Sequence, residues 1–205
     1  ALSVKKWVVV LKRSISLWFS VATAASDRKG INLNKKISTK DLTTIALLTA
    51  LSVVFKFFSI NVGDTRRYSF ILLPIMISGI FYGPLAGAIT GGLGDIIGIL
   101  VLPQGIFHPG FTLTAILTGF SSGIISKKIS NTNIKNKNLV TSLACSIFNF
   151  LIVGLFLNTI WLSQLTGASY WPLLISRIIK SIIEMSMNWL LLYLIFPKLN
   201  KIIVK

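Results

Sequence analysis

The sequence predicts an all-α integral membrane protein with six transmembrane helices, both termini in the cytoplasm, and a basic amphipathic segment before the first helix. Hydrophobic residues fill 53% of the 205 positions and charged residues only 13%, which is about half the charged share of a soluble domain. The apolar residues also fall into runs separated by charges, prolines and glycines. This pattern is typical of a helical bundle in a lipid bilayer.

Six runs are apolar enough to be predicted as membrane helices. They cover residues 42–58, 68–82, 85–102, 110–126, 139–162 and 173–196. The first follows Ser38 to Asp41, whose side chains suit a helix N-cap. Gly83 and Pro84 separate the second run from the third, whose glycines would permit close helix packing. Pro197 is expected to end the sixth.

The distribution of cations predicts the orientation in the membrane. Nine of the 21 lysines and arginines lie in residues 1–40, four in residues 127–137 and three after Pro197, so 16 share one side. Basic residues near span ends stay in the cytoplasm, which predicts a multi-pass protein of the bacterial cell membrane. The net charge of +16 then reflects topology and attraction to anionic lipid, and no nucleic-acid partner is expected.

Residues 1–37 are predicted to be an N-terminal extension, separate from a membrane domain over residues 38–205. Basic pairs alternate with apolar patches from Val4 to Ala25, which favours an amphipathic helix on the inner leaflet. Residues 22–25 also resemble a signal-peptide cleavage region, although Lys12 and Arg13 interrupt its apolar core. An extension outside the functional fold is a third alternative, and the sequence leaves all three open.

The composition argues against catalysis and metal binding. Cys145 is the single cysteine and His108 the single histidine, and the five acidic residues are widely spread, so no metal site is expected. There is no phosphate loop of the GxxxxGK[ST] type and no nucleophile elbow. We therefore expect a protein that is not an enzyme, and a partner that supplies the energy for any work.

Five cations depart from the cytoplasmic bias and fall in the predicted outer half. They are Lys56, Arg66, Arg67, Arg177 and Lys180. An ionisable group within the membrane costs several kcal/mol unless it is paired or faces a wet cavity, so it is a functional candidate. One stripe of the sixth helix carries Arg177, Lys180, Glu184 and Asn188, and we expect it to face inward. The alternative is a plain Lys180–Glu184 pair, with the loop arginines in solvent.

Aromatic and amide residues are predicted at the same depth as these cations. They are Tyr68, Phe70, Phe107, His108, Phe111, Asn158, Trp161, Tyr170 and Trp171. Arginine suits carboxylates, so cations beside flat rings favour capture of an anionic, ring-bearing solute. Tyrosine and tryptophan also form interfacial belts without any ligand.

Asp95 lies in the glycine-rich third span and has three open interpretations. It is a carboxylate with a structural partner, an acceptor for a ring with N–H donors, or a proton relay. On the first helix, Ala46 and Ala50 form a small-xxx-small pair that would let another helix approach closely.

Four blocks of sequence resemble the substrate-binding S components of energy-coupling factor (ECF) vitamin transporters, and most of all the folate-specific member. The blocks are RRYSFILLP at 66–74, GIFYGP at 79–84, Gly94-Asp95 and PGFTLTA at 109–115. The resemblance covers residues 38–197, whereas residues 1–37 depart from the family pattern.

The resemblance implies a six-helix, high-affinity folate-binding subunit with a pocket open to the outside. It implies partners, namely a transmembrane coupling subunit that docks at Ala46 and Ala50 and two ATPase subunits that use the ATP, with no cofactor in this chain. Arg66, Tyr68 and Phe70 carry most weight as ligand contacts, followed by Phe107 and Trp171. In that case the cations would bind the glutamate carboxylates of folate. The aromatic rings, Asp95 or Asn158 would bind its pterin.

Two alternatives remain open at this point. One is an S component for another flat anionic vitamin, such as riboflavin or pantothenate. The other is a stand-alone secondary transporter, or a membrane enzyme that acts on a lipid-soluble anion. The second would need a denser set of intramembrane acids than Asp95 and Glu184 supply.

Overall fold

A computed structural model of the chain describes residues 39–62, 66–68, 70–101 and 108–203, so the predicted extension over residues 1–37 lies outside them. Within these ranges there are six helical rods and one two-stranded hairpin. They are α1 (Thr39–Phe57), β1 (Ile60–Val62), β2 (Arg66–Tyr68), α2 (Leu72–Tyr82), α3 (Pro84–Val101), α4 (Pro109–Ser130), α5 (Lys137–Thr166) and α6 (Tyr170–Ile203). The predicted six-helix membrane fold is confirmed. Following the predicted topology, we call the end with the hairpin and the α5–α6 connection the outer end.

The bundle is apolar outside and carries many small polar side chains inside. Exposed positions include Leu47, Leu100 and Ile179, at 63%, 78% and 68%, while Thr90 and Thr118 are fully buried. Three of the described helices are long and apolar enough to cross a membrane by length and composition: α3, α5 and α6 up to Leu199. The apolar α2 has only 11 residues, about 16 Å of helix, and is buried by its neighbours over most of its length.

The first outer connection is a β-hairpin, and the second helix begins later than predicted. Strands β1 and β2 pair antiparallel, with Asn61 opposite Arg67, and α2 begins at Leu72 rather than at Tyr68. Proline lacks an amide N–H and breaks a helix interior, but it is tolerated in the first turn. Pro74 would lie inside a helix that began at Tyr68, and a start at Leu72 places it in that first turn.

Helices α3 and α4 pack with their backbones in direct contact because glycines face each other. A Cβ atom on Gly119 would overlap the carbonyl oxygen of Gly87, and one on Gly91 would overlap that of Ala115. Small residues of this kind let membrane helices approach closely. The predicted role of the third-span glycines is therefore confirmed.

Gly119→Ala is expected to lower the free energy of unfolding by about 1–3 kcal/mol, because the new methyl group has to separate two packed backbones. Thermal unfolding of the detergent-purified protein would measure the effect. Gly154→Ala is the matched control, since a Cβ atom there meets its nearest neighbour at 3.4 Å, an ordinary contact. Equal midpoints for the two variants would contradict the close α3–α4 contact.

The fifth helix is longer than predicted and changes its winding midway. Residues Lys137–Phe148 and Asn158–Thr166 are α-helical, and Asn149–Leu157 forms a π-helix between them. The Asn149 side-chain amide donates a hydrogen bond to the carbonyl oxygen of Cys145 at 2.9 Å. π-Helical turns are rare and are frequent at functional sites.

The sixth helix does not end at Pro197, as predicted, but continues to Ile203. Tertiary packing at the inner end explains why the proline is tolerated. Phe196 is buried, and its ring lies 5.2 Å from that of Phe81 on α2. Leu192 on the preceding turn belongs to the core cluster that α6 shares with α1, α2 and α5. This packing outweighs the local cost of one missing backbone hydrogen bond.

Candidate functional site

The predicted polar stripe of α6 faces inward. Arg177, Lys180 and Asn188 are 6%, 8% and 5% exposed, respectively. Lys180 Nζ lies 2.8 Å from Glu184 Oε2, one helical turn further along. The Lys180–Glu184 ion pair of the simpler alternative is thus present, and it lies largely within the bundle.

The buried stripe around Arg177 carries more positive charge than its one described carboxylate balances. Its Nη1 donates to the backbone carbonyl oxygen of Asn158 at 3.1 Å, and its Nε has no hydrogen-bond partner among the described residues. Since Glu184 is paired with Lys180, the stripe has one positive charge in excess. A buried guanidinium of this kind favours an anionic ligand with two oxygens, such as a carboxylate.

Asp95 joins three helices through both of its carboxylate oxygens. Oδ1 lies 3.2 Å from Lys56 Nζ on α1, and Oδ2 accepts a 2.7 Å hydrogen bond from the Thr112 hydroxyl on α4. This geometry agrees with the first of the three interpretations of Asp95, in which the carboxylate has a structural partner. It also explains why Lys56 is tolerated in the membrane, since its charge has a buried partner.

His108 caps the first turn of α4 at the outer end. Its Nδ1 accepts the Gly110 backbone N–H at 3.1 Å, which requires that nitrogen to be deprotonated. Burial lowers the pKa of His108, and a side-chain hydrogen bond with Gln164 raises it by a smaller amount. The imidazole is therefore neutral at pH 7 and keeps its capping role.

A cluster of rings surrounds this cap. The His108 ring lies 5.6 Å from that of Trp161 on α5 and 5.9 Å from that of Phe111. Gly110 is required here because a Cβ atom would overlap the Trp161 indole. Of the predicted aromatic contacts, His108, Phe111 and Trp161 are brought together.

Of the other predicted aromatic residues, the described Phe70, Tyr170 and Trp171 contact different rings. Phe70 packs edge-on against Phe55 at 6.3 Å, and Trp171 is 70% exposed beside Tyr170. Strand β2, which carries Arg66, Arg67 and Tyr68, lies beside α6. Its side chains, like all of Phe107, lie outside what the structure describes, so their ligand contacts stay predictions.

Several buried polar residues on α5 and α6 were missed from the sequence. Ser146, Asn149, Thr159 and Ser181 are each at most 6% exposed. Each has a side-chain oxygen with no hydrogen-bond partner among the described residues. They are neutral, and Thr159 and Ser181 follow the more conspicuous Asn158 and Lys180, so only Asn149 offered a signal of its own, as an amide inside an apolar run.

The two alanines of the predicted docking pair lie on the exposed face of α1, which points away from the other helices. Ala46 and Ala50 are exposed, and Leu42 and Val54 continue the same four-residue spacing at 60% and 45% exposure. The result is a stripe along α1 with small residues at its centre. Small residues at this spacing let a second helix approach closely.

The chain matches the family model of the ECF transporter substrate-specific component over residues 40–196. The folate transporter FolT of Clostridium novyi (strain NT) is 33% identical over 152 residues, which is 73% of this chain and 83% of that protein. A crystal structure of FolT bound with folic acid matches with a TM-score of 0.67 at 25% identity, covering 79% of this chain and 97% of that one.

A second solved structure, the S component for biotin from an ECF-type ABC transporter, matches with a TM-score of 0.63 at 22% identity. It covers 82% of this chain and 95% of that one. At this identity the match shows a shared fold.

Proposed function

This chain belongs to the substrate-specific components of ECF transporters, and from that premise we propose that it is the membrane-embedded, high-affinity folate-binding subunit of an ECF-type importer. The ligand is captured from the outside and passed on without chemical change. The likeness to folate transporters over most of both chains supports folate as the ligand.

The observation that carries the proposal is the excess positive charge of the buried α6 stripe at Arg177. A single positive charge in excess, lodged among amides and hydroxyls of α5 and α6, suits a ligand with a carboxylate at one end and hydrogen-bonding groups elsewhere. Folate has both. The neutral His108, Phe111 and Trp161 rings at the outer end add a surface on which a flat aromatic group stacks.

Delivery is proposed to need partner subunits. The exposed stripe around Ala46 and Ala50 would contact a transmembrane coupling subunit, and two ATPase subunits would supply the energy. The chain itself would need no cofactor, because the ATP is bound and used by the partners. A multi-pass membrane location follows from the family.

Replacement of Arg177 by methionine is expected to weaken folate binding about 10- to 100-fold, because a charge-assisted hydrogen bond contributes about 1.5–3 kcal/mol. Equilibrium titration of the detergent-purified chain with folate, with riboflavin and pantothenate as competitors, would measure it. Lys198→Met is the matched control, since Lys198 is exposed on the same helix.

The titration also decides between ligands. Tight folate binding by the unmodified chain without ATP or partners supports a capture subunit for folate. Stronger binding of riboflavin or pantothenate would assign it to another vitamin. Binding of none of the three, or an unchanged affinity in Arg177→Met, would contradict the proposal.

A further inference from the structure

The outer end of α4 is capped by a side chain that acid can titrate. His108 has an extended backbone just before Pro109, and its Nδ1 accepts the Gly110 backbone N–H at 3.1 Å. A backbone N–H can only donate, so this bond requires a lone pair on Nδ1 and places the ring proton on Nε2. Serine, threonine, aspartate and asparagine are the usual caps at this position of a helix, and none of them becomes a cation in acid.

Protonation of His108 would remove this cap. The imidazolium carries a hydrogen on both nitrogens, so Nδ1–H and the Gly110 N–H would be two donors that face each other. The new charge would also lie at the end of α4 where the helix dipole is positive. Nε2 carries a hydrogen in both forms, so the side-chain hydrogen bond with Gln164 survives protonation. The effect of acid therefore falls on the cap.

The capping ring also holds the ring cluster at the outer end together. The His108 ring lies 5.6 Å from that of Trp161 and 5.9 Å from that of Phe111. The indole is so close to the α4 backbone that a Cβ atom on Gly110 would overlap it. An imidazole that turned Nδ1 away from Gly110 would have to move against these two rings. Loss of the cap would thus loosen the first turn of α4 from α5.

The residues described in contact with His108 carry no charge that could offset its protonation. They are Gly110, Phe111, Trp161 and Gln164. The sequence of residues 102–107, directly before the cap, also contains no ionisable side chain. Burial accordingly lowers the pKa of His108, and the hydrogen bond with Gln164 offsets only part of that effect.

Charged groups on the neighbouring elements favour the neutral ring as well. The carboxylate of Asp95 on α3 accepts a hydrogen bond from Thr112, one turn after the cap, but its charge is already paired with Lys56. The cations of the outer half are Lys56 on α1, Arg177 on α6, and Arg66 and Arg67 on β2, the strand beside α6. Cations near an imidazole disfavour its charged form.

We propose that His108 is an acid-sensitive switch, in which the neutral imidazole caps α4 and closes the ring cluster, and protonation opens both and weakens ligand binding. The inference rests on the proposed function, to which it adds a regulation by pH. Because the closed form requires neutral His108, it is favoured fully above the ordinary imidazole pKa of about 6.5. Its advantage is lost as the pH falls below that value and through the lowered pKa.

The protonation of this ring is observable directly, because His108 is the single histidine of the chain. NMR of the detergent-purified protein, made with isotopically labelled histidine and freed of any histidine tag, needs no ligand. It is expected to show one imidazole in the Nε2–H form at neutral pH, with a pKa below that of an unstructured histidine peptide. An Nδ1–H form or an unshifted pKa would overturn the switch, whether or not folate binds.

Equilibrium titration with folate tests the consequence for binding. Between about pH 7.5 and about pH 5, the affinity of the unmodified chain is expected to fall about three- to tenfold through loss of the cap. His108→Asn is the matched variant, since asparagine caps a helix and does not titrate. Each protein is compared with itself at the two pH values, so the ionisation of folate affects both equally. The same loss of affinity in both proteins would overturn the proposal.

The two tests also separate this inference from the function on which it rests. Absence of folate binding at both pH values would overturn the proposed function. The midpoint of thermal unfolding then replaces affinity as the readout, and acid is expected to lower it more for the unmodified chain than for His108→Asn. Equal lowering in the two proteins would overturn the switch. If His108→Asn does not fold, the NMR titration of the unmodified chain decides.

Discussion

Replacing Lys56 by methionine is expected to destabilise the fold by about 3–5 kcal/mol, which is the range for removing one partner of a buried ion pair. The Asp95 carboxylate, whose side chain is 16% exposed, would lose the ammonium group 3.2 Å away. The Thr112 hydroxyl would remain as a neutral hydrogen-bond donor. The midpoint of thermal unfolding in detergent would measure the loss.

A double variant separates the cost of an isolated charge from the value of the pair. Lys56→Met combined with Asp95→Leu is expected to recover most of the lost stability, because apolar side chains of similar volume often replace a buried ion pair without loss. Two single effects that simply add would show that the groups do not interact. That result would contradict a stabilising ion pair between Lys56 on α1 and Asp95 on α3.

The Lys56–Asp95–Thr112 contacts explain why α1 has a fixed position on the bundle. They connect the helix that carries the exposed Ala46–Ala50 stripe with α3 and with the first turns of α4. Gly98 contributes as well, since a Cβ atom there would lie 2.6 Å from the Lys56 side-chain carbon Cδ. The docking surface and the ring cluster at His108 are thus parts of one connected structure.

Helix number and most of the helix positions were predictable from the sequence, because hydropathy reports directly on burial in lipid. The ends of the helices were less predictable. Pro74 and Pro197 are the clearest cases. Pro74 lies in the first turn of α2, whereas Pro197 lies within α6, where packing around Phe196 outweighs the local cost of the proline. The β-hairpin between α1 and α2 has strands of only three residues each, which are too short for an alternation of apolar and polar residues to predict them.

The charged residues of the candidate site were predictable from the sequence, and its neutral residues were not. Arg177 and Lys180 were visible because cations at helical spacing in an apolar run require an explanation. The partner of Asp95 was not, since Lys56 is 39 positions away and only the packing of α1 on α3 brings them together. Neutral groups such as Asn149 and Ser181 were not predicted, because one amide or hydroxyl changes the hydropathy of a helix little and its importance depends on which helix it faces.

Replacing Ala46 by tryptophan is expected to abolish folate uptake while leaving folate affinity unchanged. A bulky ring in the middle of the exposed α1 stripe would hold a partner helix away from the small residues that permit close packing. The residues proposed to bind the ligand, Arg177 and the ring cluster at His108, belong to α4, α5 and α6 or their ends and not to α1, so capture would not be affected. Uptake by cells that express the whole importer, together with titration of the purified chain, would measure both properties.

The matched control is Leu194→Trp, which adds the same ring at an exposed apolar position near the inner end of α6. It is expected to transport normally, since a ring that faces lipid is tolerated there. Loss of uptake in Ala46→Trp alone would identify the α1 stripe as the docking surface. Normal uptake by Ala46→Trp would exclude that surface, and loss of uptake in both variants would indicate a general effect of tryptophan on folding or insertion.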